Sequence, residues 1–482
     1  MRVAIPLLVA CCLLAGCGSD AKKTATSSTS TSTTAAAAKP KTTSPVTLPG
    51  AKPPILHVDT PAAGTSPGYV FIAEKGQAKD PSGVVIADNA GRILWYHQVP
   101  AGLEATDFRT QILHGRPVLT WWQGKVSKSG IGQGEDEIYD ASYHALRTVK
   151  AGNGLDADLH EFQLTPRGTA FITAYREVPA DLTSVGGPKD GWVWDSVVQE
   201  LDPMTGRLVF EWHSVGHVPL SESLEANQKP AKTASKKVPL DYFHVNSVSD
   251  GPGGTILISA RNTSTVYLLR RDGSIAWRLG GKNSDFGPKS AVKFFYQHNA
   301  RFHRDGTISL FDNGGIPRAE PYSRPVVLDV DQTTKKVRIA KTFVAPSKIA
   351  SPYEGDLELL SDGGAFVGWG GVPKVTEFSP DGKVRFQLSL PYGDSYRGYR
   401  LAWSGNPGGA PAVAMKDGKV YASWNGKLGI ASWQVLDGAK VVASAKWGGL
   451  ETAIPLANGP SSVTVRAVDA AGKTLGQATA AS

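Results

Sequence analysis

The chain is 482 residues long with 41% hydrophobic and 20% charged residues, long enough for a sizeable core, and its formal charge is +8. Three cysteines exclude a disulfide-stapled fold, and no phosphate-cradling glycine loop occurs. The positive charge is concentrated near the N-terminus, so it gives no reason to expect nucleic acid as a partner.

The chain opens "MRVAIPLLVACCLLAGC": one basic residue, an apolar stretch too short to span a bilayer, then small residues. Residues 1–16 are thus predicted to be a secretory signal peptide. Leu14-Ala15-Gly16-Cys17 has the lipobox pattern, in which cleavage before Cys17 follows its modification by diacylglycerol, with palmitate-type acyl chains. Cys11 and Cys12 would leave with the leader, so no intrachain disulfide is expected. The implied protein is an exported lipoprotein of the cell envelope, held to the lipid bilayer through Cys17.

Residues 17–54 are Ser, Thr, Ala, Lys and Pro with few large apolar residues, too little to offset the entropy of ordering. They are predicted to be a disordered tether. Lys22, Lys23, Lys39, Lys41 and Lys52 face only Asp20 there, so more than half of the net charge lies in leader and tether, suited to an anionic membrane surface.

From residue 55 to 405 the sequence reads as almost all strand, with 53 Gly and 32 Pro in the whole chain supplying turns. One hairpin form recurs at 83–99, 136–149, 196–214, 265–281, 325–343 and 374–390, for example "SVVQELDPMTGRLVFEWHS". A second hairpin lies between successive copies, at 107–124, 160–177, 244–262, 298–314 and 354–371, with a partial member "PGYVFIAEKG" at 67–76. Alternating hairpins of two kinds make four-stranded units, and six such units predict an all-β, six-bladed β-propeller. Residues 408–482 leave the pattern; "KVYASW", "IASWQVL" and "SVTVRAVDAAG" predict a small immunoglobulin- or fibronectin-like β-sandwich.

The inner strands of a propeller line its channel, and the loops leading into them gather on one face. Aligned by their turns, the second hairpins open on Asp107, His160, His244, His298 and Glu354. Three histidines at one repeat position are therefore predicted to meet near the axis. The returning strands end near Arg176, Arg261, Asn313 and Trp369, while Asn246, Gln297 and Asn299 flank the histidines. This reads as a cationic, donor-rich pocket with few carboxylates, suited to an anion. His57, His97, His114, His144, His213 and His217 fall outside the register, and His303 is read as exposed. Trp95, Trp212 and Trp277 close outer hairpins at equivalent points and are read as packing between blades. Two other readings stay open: a three-histidine zinc site, opposed by the nearby arginine, and a non-catalytic propeller that binds a partner or an envelope polymer.

"DYFHVNSV" with "LISARN", "WRLGG", "FFYQHNARF" and "SLFDNG", in that order, resembles the PAPS-independent aryl sulfate sulfotransferase family over about residues 60–405. The resemblance implies transfer of a sulfuryl group from an aryl sulfate donor to a phenolic acceptor without a cofactor, by a ping-pong cycle. It implies His298 as the nucleophile that becomes sulfohistidine, with His160, His244 and Arg261 binding the sulfuryl group. Asn246, Gln297, Asn299, Asn313 and Trp369 are expected substrate contacts. The chain departs from longer family members in having little N-terminal domain beyond the tether and no cysteine pair, so the family gives no oligomeric state for it.

Overall fold

The computed structural model describes residues 44–76, 81–287, 292–390, 393–456 and 459–481; the leader, Cys17 and most of the tether lie outside them. Alternating, β-branched-rich segments pair into antiparallel sheets in chain order. The second to fifth blades are built from consecutive strands running from Glu104–Leu113 to Ala145–Val149, Phe162–Leu164 to Leu208–His213, Val245–Asp250 to Ile275–Gly280, and His298–Phe302 to Lys336–Thr342. The sixth runs from Asp356–Leu359 to Val384–Ser389, and His57–Thr60 adds a fifth, outermost strand to it.

The first blade is assembled from both ends of the propeller. Tyr69–Glu74, Gly83–Ala87 and Ile93–Gln98 supply three strands, and Gly398–Leu401 supplies the innermost one, with Tyr69 paired to Leu401. "PGYVFIAEKG" is therefore a second strand whose inner partner comes from the far end. Inner strands touch their neighbours from blade to blade, except that the third and fourth blades meet through Ala170–Ala180 against Val245–Asp250; the first blade meets both the second and the sixth, so the ring is closed and the short inner edges line the channel.

Side chains alternating off the two faces of each blade fill the spaces between blades. Trp95 stacks on Phe108 of the next blade at 5.7 Å, and Trp212 meets Phe243 at 5.7 Å, as expected for packing residues. Burying such rings is worth roughly 1.5–3 kcal/mol each. At the C-terminal end, a three-stranded and a four-stranded sheet enclose Trp433, Val435, Val463 and Val465 in a sandwich.

Residues 44–54 are not a free tether. The Val46 and Thr47 amides donate to the Glu451 carboxylate, and Leu48, Ala51 and Leu56 pack against a cluster shared by the first and sixth blades. Their few apolar side chains are covered by this cluster and need no core of their own.

Candidate functional site

The inner strands do not start smoothly. Ladder register shifts between Thr106 and Arg109, Val245 and Ser247, and His298 and Arg301, while Asp107, His244 and Glu354 adopt left-handed backbone conformations with φ of 53°, 59° and 62°. Such conformations are costly for residues with a Cβ and concentrate where side chains must be aimed. Here they turn the opening residues toward the axis.

The result is a cavity of about 400 Å³ on one face, lined by His160, His244, His298, Arg261, Lys75, Glu354 and Tyr396 among others. The His160 and His244 rings meet edge to face at 4.8 Å, and Tyr396 lies 5.6 Å from His160 and 6.4 Å from His298. The predicted convergence of histidines from three blades is thus observed. The turn Ser127-Lys128-Ser129-Gly130 from the second blade borders the same space.

His298 is held in one tautomer. Its Nδ1 faces two acceptors, the Tyr296 carbonyl at 3.0 Å and Asn313 Oδ1 at 2.7 Å. The Asn313 amide is itself oriented, since Nδ2 donates to the Ser351 and Glu354 carbonyls. Nδ1 therefore carries the proton and Nε2 keeps its lone pair, toward which the Glu354 amide points at 3.3 Å. Burial, reinforced by the Arg261 charge, pushes His298 well below the ordinary imidazole value, so it is neutral at pH 7.

The other two histidines are each backed by a carboxylate. His160 Nδ1 bonds to Asp158 Oδ2, and His244 Nδ1 bonds to Asp241 Oδ2 at 2.5 Å. Both rings thereby present Nε2 away from the carboxylate. Burial pushes His244 down, with Asp241 opposing the shift. The expectation of few carboxylates is corrected: Asp158, Asp241 and Glu354 all stand at or behind the cavity. The first two were legible as Asp-x-His and Asp-x-x-His spacings, which place a carboxylate one short turn before each ring.

Arg261 Nη1 donates to Asn262 Oδ1 at 2.7 Å, and its guanidinium lies 4.4 Å from the Tyr296 ring centre. Among the described residues no carboxylate lies within ion-pair distance of it, so its charge is directed at the cavity. Lys75 is different: it bonds to Glu354 and sits 3.6 Å from Asp394. Burial acts to lower Lys75, but Glu354 and Asp394 outweigh it and its pKa is raised. Burial lifts Glu354 to about 7 although Lys75 works against it.

The expected substrate contacts fare less well. Asn246 Nδ2 donates to the Gln297 carbonyl at 2.7 Å, and Gln297 Nε2 bonds to Ser259 Oγ and the Ala260 and Thr265 carbonyls, so both brace the inner strands. Asn313 positions His298 and does not line the cavity. Asn299 lies toward the opposite mouth of the channel. Trp369 is fully buried, bonding Thr376 Oγ1 and meeting Phe311 edge to face, because its strand position faces the space between blades. Arg176 pairs with Asp195 away from the cavity. His303 is half-buried against Ser309 Oγ at 2.8 Å, also on the opposite side. Lys75 and Tyr396, which sequence reasoning missed, belong to the first blade and the segment leading into its inner strand.

Among the described residues no group of three or more His, Cys, Asp or Glu side chains has metal-holding geometry. The carboxylates behind His160 and His244 take the positions that orient the rings from behind.

The depressed histidines predict how stability varies with pH. His298 and His244 bind protons in the unfolded chain below about 6.5 but resist them when folded. The unfolded state then holds more protons, so stability is full above about pH 6.5 and falls as pH drops below it. The melting temperature is expected to fall between about pH 7 and pH 5, with a shallower fall in His298→Asn. Parallel slopes in the two proteins would contradict the assignment of a buried neutral ring.

The arylsulfotransferase family model matches residues 109–390, which includes every histidine of the cavity. No curated protein matches the chain. Similar solved structures include a protein of unknown function from Bacteroides caccae, 14% identical over 69% of this chain and 98% of that one, with a TM-score of 0.42. A catalytically inactive virginiamycin B lyase from Staphylococcus aureus with quinupristin is 10% identical over 76% of this chain and 96% of that one, with a TM-score of 0.29.

Proposed function

The chain belongs to the arylsulfotransferase family, and from that premise we propose that it moves a sulfuryl group from an aryl sulfate to a phenol in two steps through His298. The observation that carries this reading is the fixed tautomer: a neutral, buried imidazole in the cavity wall whose unprotonated Nε2 meets the Glu354 amide at a long 3.3 Å and can exchange it for sulfur, in a cavity also lined by the Arg261 guanidinium.

In the first step the Nε2 lone pair attacks sulfur, the N–S bond forms, and the S–O(aryl) bond breaks with its electron pair leaving on the phenolate oxygen. Such transfers pass through loose, in-line transition states, so positioning and charge stabilisation do most of the catalysis. Arg261 faces the sulfuryl oxygens. A proton reaches the phenolate from Nε2 of one of the carboxylate-backed histidines, His160 or His244; the incoming sulfate charge favours the imidazolium form that donates it. Two imidazolium rings 4.8 Å apart would repel each other, so a proton on one ring disfavours a proton on the other.

Nδ1 of His298 keeps its proton because its partners are an amide and a carbonyl oxygen, neither of them a base. The intermediate is then a sulfo-imidazolium, whose nitrogen leaves readily. In the second step the histidine that gave up its proton takes one from the acceptor phenol, the phenolate oxygen attacks sulfur, and the N–S bond electrons return to Nε2. The enzyme regains its starting protons, and no nucleotide donor or cofactor takes part.

The test is a chromogenic aryl sulfate. Phenol release is expected, faster with an added phenolic acceptor, and unchanged by EDTA. Release abolished by EDTA and restored by zinc would favour a metallohydrolase instead, while a folded protein inert toward every sulfate ester would favour a binding propeller. The Leu14-Ala15-Gly16-Cys17 pattern supports anchoring of this activity to the outer side of a membrane through lipidated Cys17.

A further inference from the structure

A second cavity, about 720 Å³, opens at the other mouth of the channel, where the inner strands end. It shares no lining residue with the histidine cavity. Between them lies a buried ion network. Arg397, fully buried, donates to Asp107 Oδ1 at 2.9 Å and to both Glu161 oxygens at 3.2 Å, and its Nη2 also reaches the His160 carbonyl. Arg109 pairs with Glu161 at 2.7 Å and with Asp107 at 3.2 Å, and Arg301 pairs with Glu161 at 2.7 Å.

Three guanidinium groups thus share two carboxylates. The surplus charge falls on the side of the second cavity, since Arg109 and Arg301 line it and Arg397 does not. Inside the network the donors are incompletely used, although sealed from solvent: Arg109 Nε has no acceptor, and Arg301 Nη2 approaches Glu161 without hydrogen-bond geometry. Arg109 is itself more than nine-tenths buried. Glu358, the carboxyl group on the cavity wall, is lifted by burial to about 8, so it opposes the excess only weakly near pH 7. Two guanidinium groups in the wall of an open cavity, belonging to a network with one more cation than carboxylates, favour an anion there.

Part of the wall is apolar, beside polar Gln111, Gln163, Asn299 and His303 and the ion-paired Arg167. Leu164, Leu357, Leu359 and Leu401 line the cavity, and Ile112 stands at its rim with 59% of its surface exposed. A bare inorganic ion would leave this surface and most of the volume unused. We propose that this second cavity is a binding site for an amphipathic organic anion, its carboxylate, sulfonate or sulfate toward Arg109 and Arg301 and its ring or chain against Ile112 and the leucines. The site is separate from the sulfuryl-transfer reading and does not depend on it.

The probe is naphthalene-2-sulfonate, whose C–S bond gives nothing to transfer, titrated calorimetrically into the full-length protein. Ile112→Glu puts a negative charge at the rim without touching the ion network, and it is expected to weaken one binding event about tenfold or more. Ile112→Lys, of similar reach and opposite charge, is expected to keep or strengthen that event, which separates charge from loss of the isoleucine. Both variants should keep the parent melting temperature. Arg261→Ala removes a cation from the other cavity only and should leave the Ile112-sensitive event intact. Absence of binding, binding indifferent to both Ile112 variants, or displacement of the probe by an equal concentration of inorganic sulfate would each overturn the proposal.

Discussion

His298→Asn is expected to lower kcat/KM for a chromogenic aryl sulfate by about 10⁴-fold or more, because the covalent route disappears with its nucleophile. Asparagine is close in size to the imidazole and can still accept from the Glu354 amide, so the packing around Tyr296, Asn313 and Glu354 is disturbed least. The melting temperature near pH 7 reports whether the ring of inner strands survives. Activity retained within about tenfold of the parent, in a folded protein, would remove His298 from the reaction path. The loss should appear in both half-reactions, since the same nitrogen accepts and gives up the sulfuryl group.

Arg261→Ala is expected to cost about 10²- to 10³-fold in kcat, the usual effect of deleting one preorganised donor from a site that stabilises developing charge. Arg261 has no carboxylate partner among the described residues, so alanine strands no buried anion and the protein should fold. Arg261→Lys retains charge without the planar fork and should recover part of the rate. The decisive comparison is between substrates: the loss should be similar for aryl sulfates with good and poor leaving groups, because the guanidinium serves the sulfuryl oxygens. A loss confined to poor leaving groups would assign Arg261 to the phenolate instead.

The outer hairpins were legible because each is a local pair of strands around a short turn, and the repetition of Trp95, Trp212 and Trp277 marks the same packing position. The first blade was only half legible. Its inner strand, Gly398–Leu401, pairs with Tyr69–Glu74 from the opposite end of the propeller, a contact that no local pattern announces. Tyr396 and Arg397 were lost with it, although one lines the cavity and the other fills the channel behind.

The register of His160, His244 and His298 survived folding because it depends on repeat position alone. Trp369 and Asn299 failed for a reason specific to strands: successive residues face opposite ways, and a bulge shifts the phase by one residue. Asn299, with φ of 53°, sits within such a bulge. Arg261 and Trp369 both follow second strands, yet one faces the cavity and the other packs between blades. Asp158 and Asp241 carried a readable spacing, and their meaning emerged only once the rings they hold were seen together.

The central claim is a covalent bond between His298 Nε2 and sulfur, and trapping it is the direct measurement. The protein is mixed with excess aryl sulfate without acceptor, quenched in alkali, digested and examined by mass spectrometry. The account predicts one sulfuryl group on the peptide containing His298, which disappears when a phenol is added before the quench. Turnover proceeding with that peptide unmodified, or with the sulfuryl group on another residue, would contradict it.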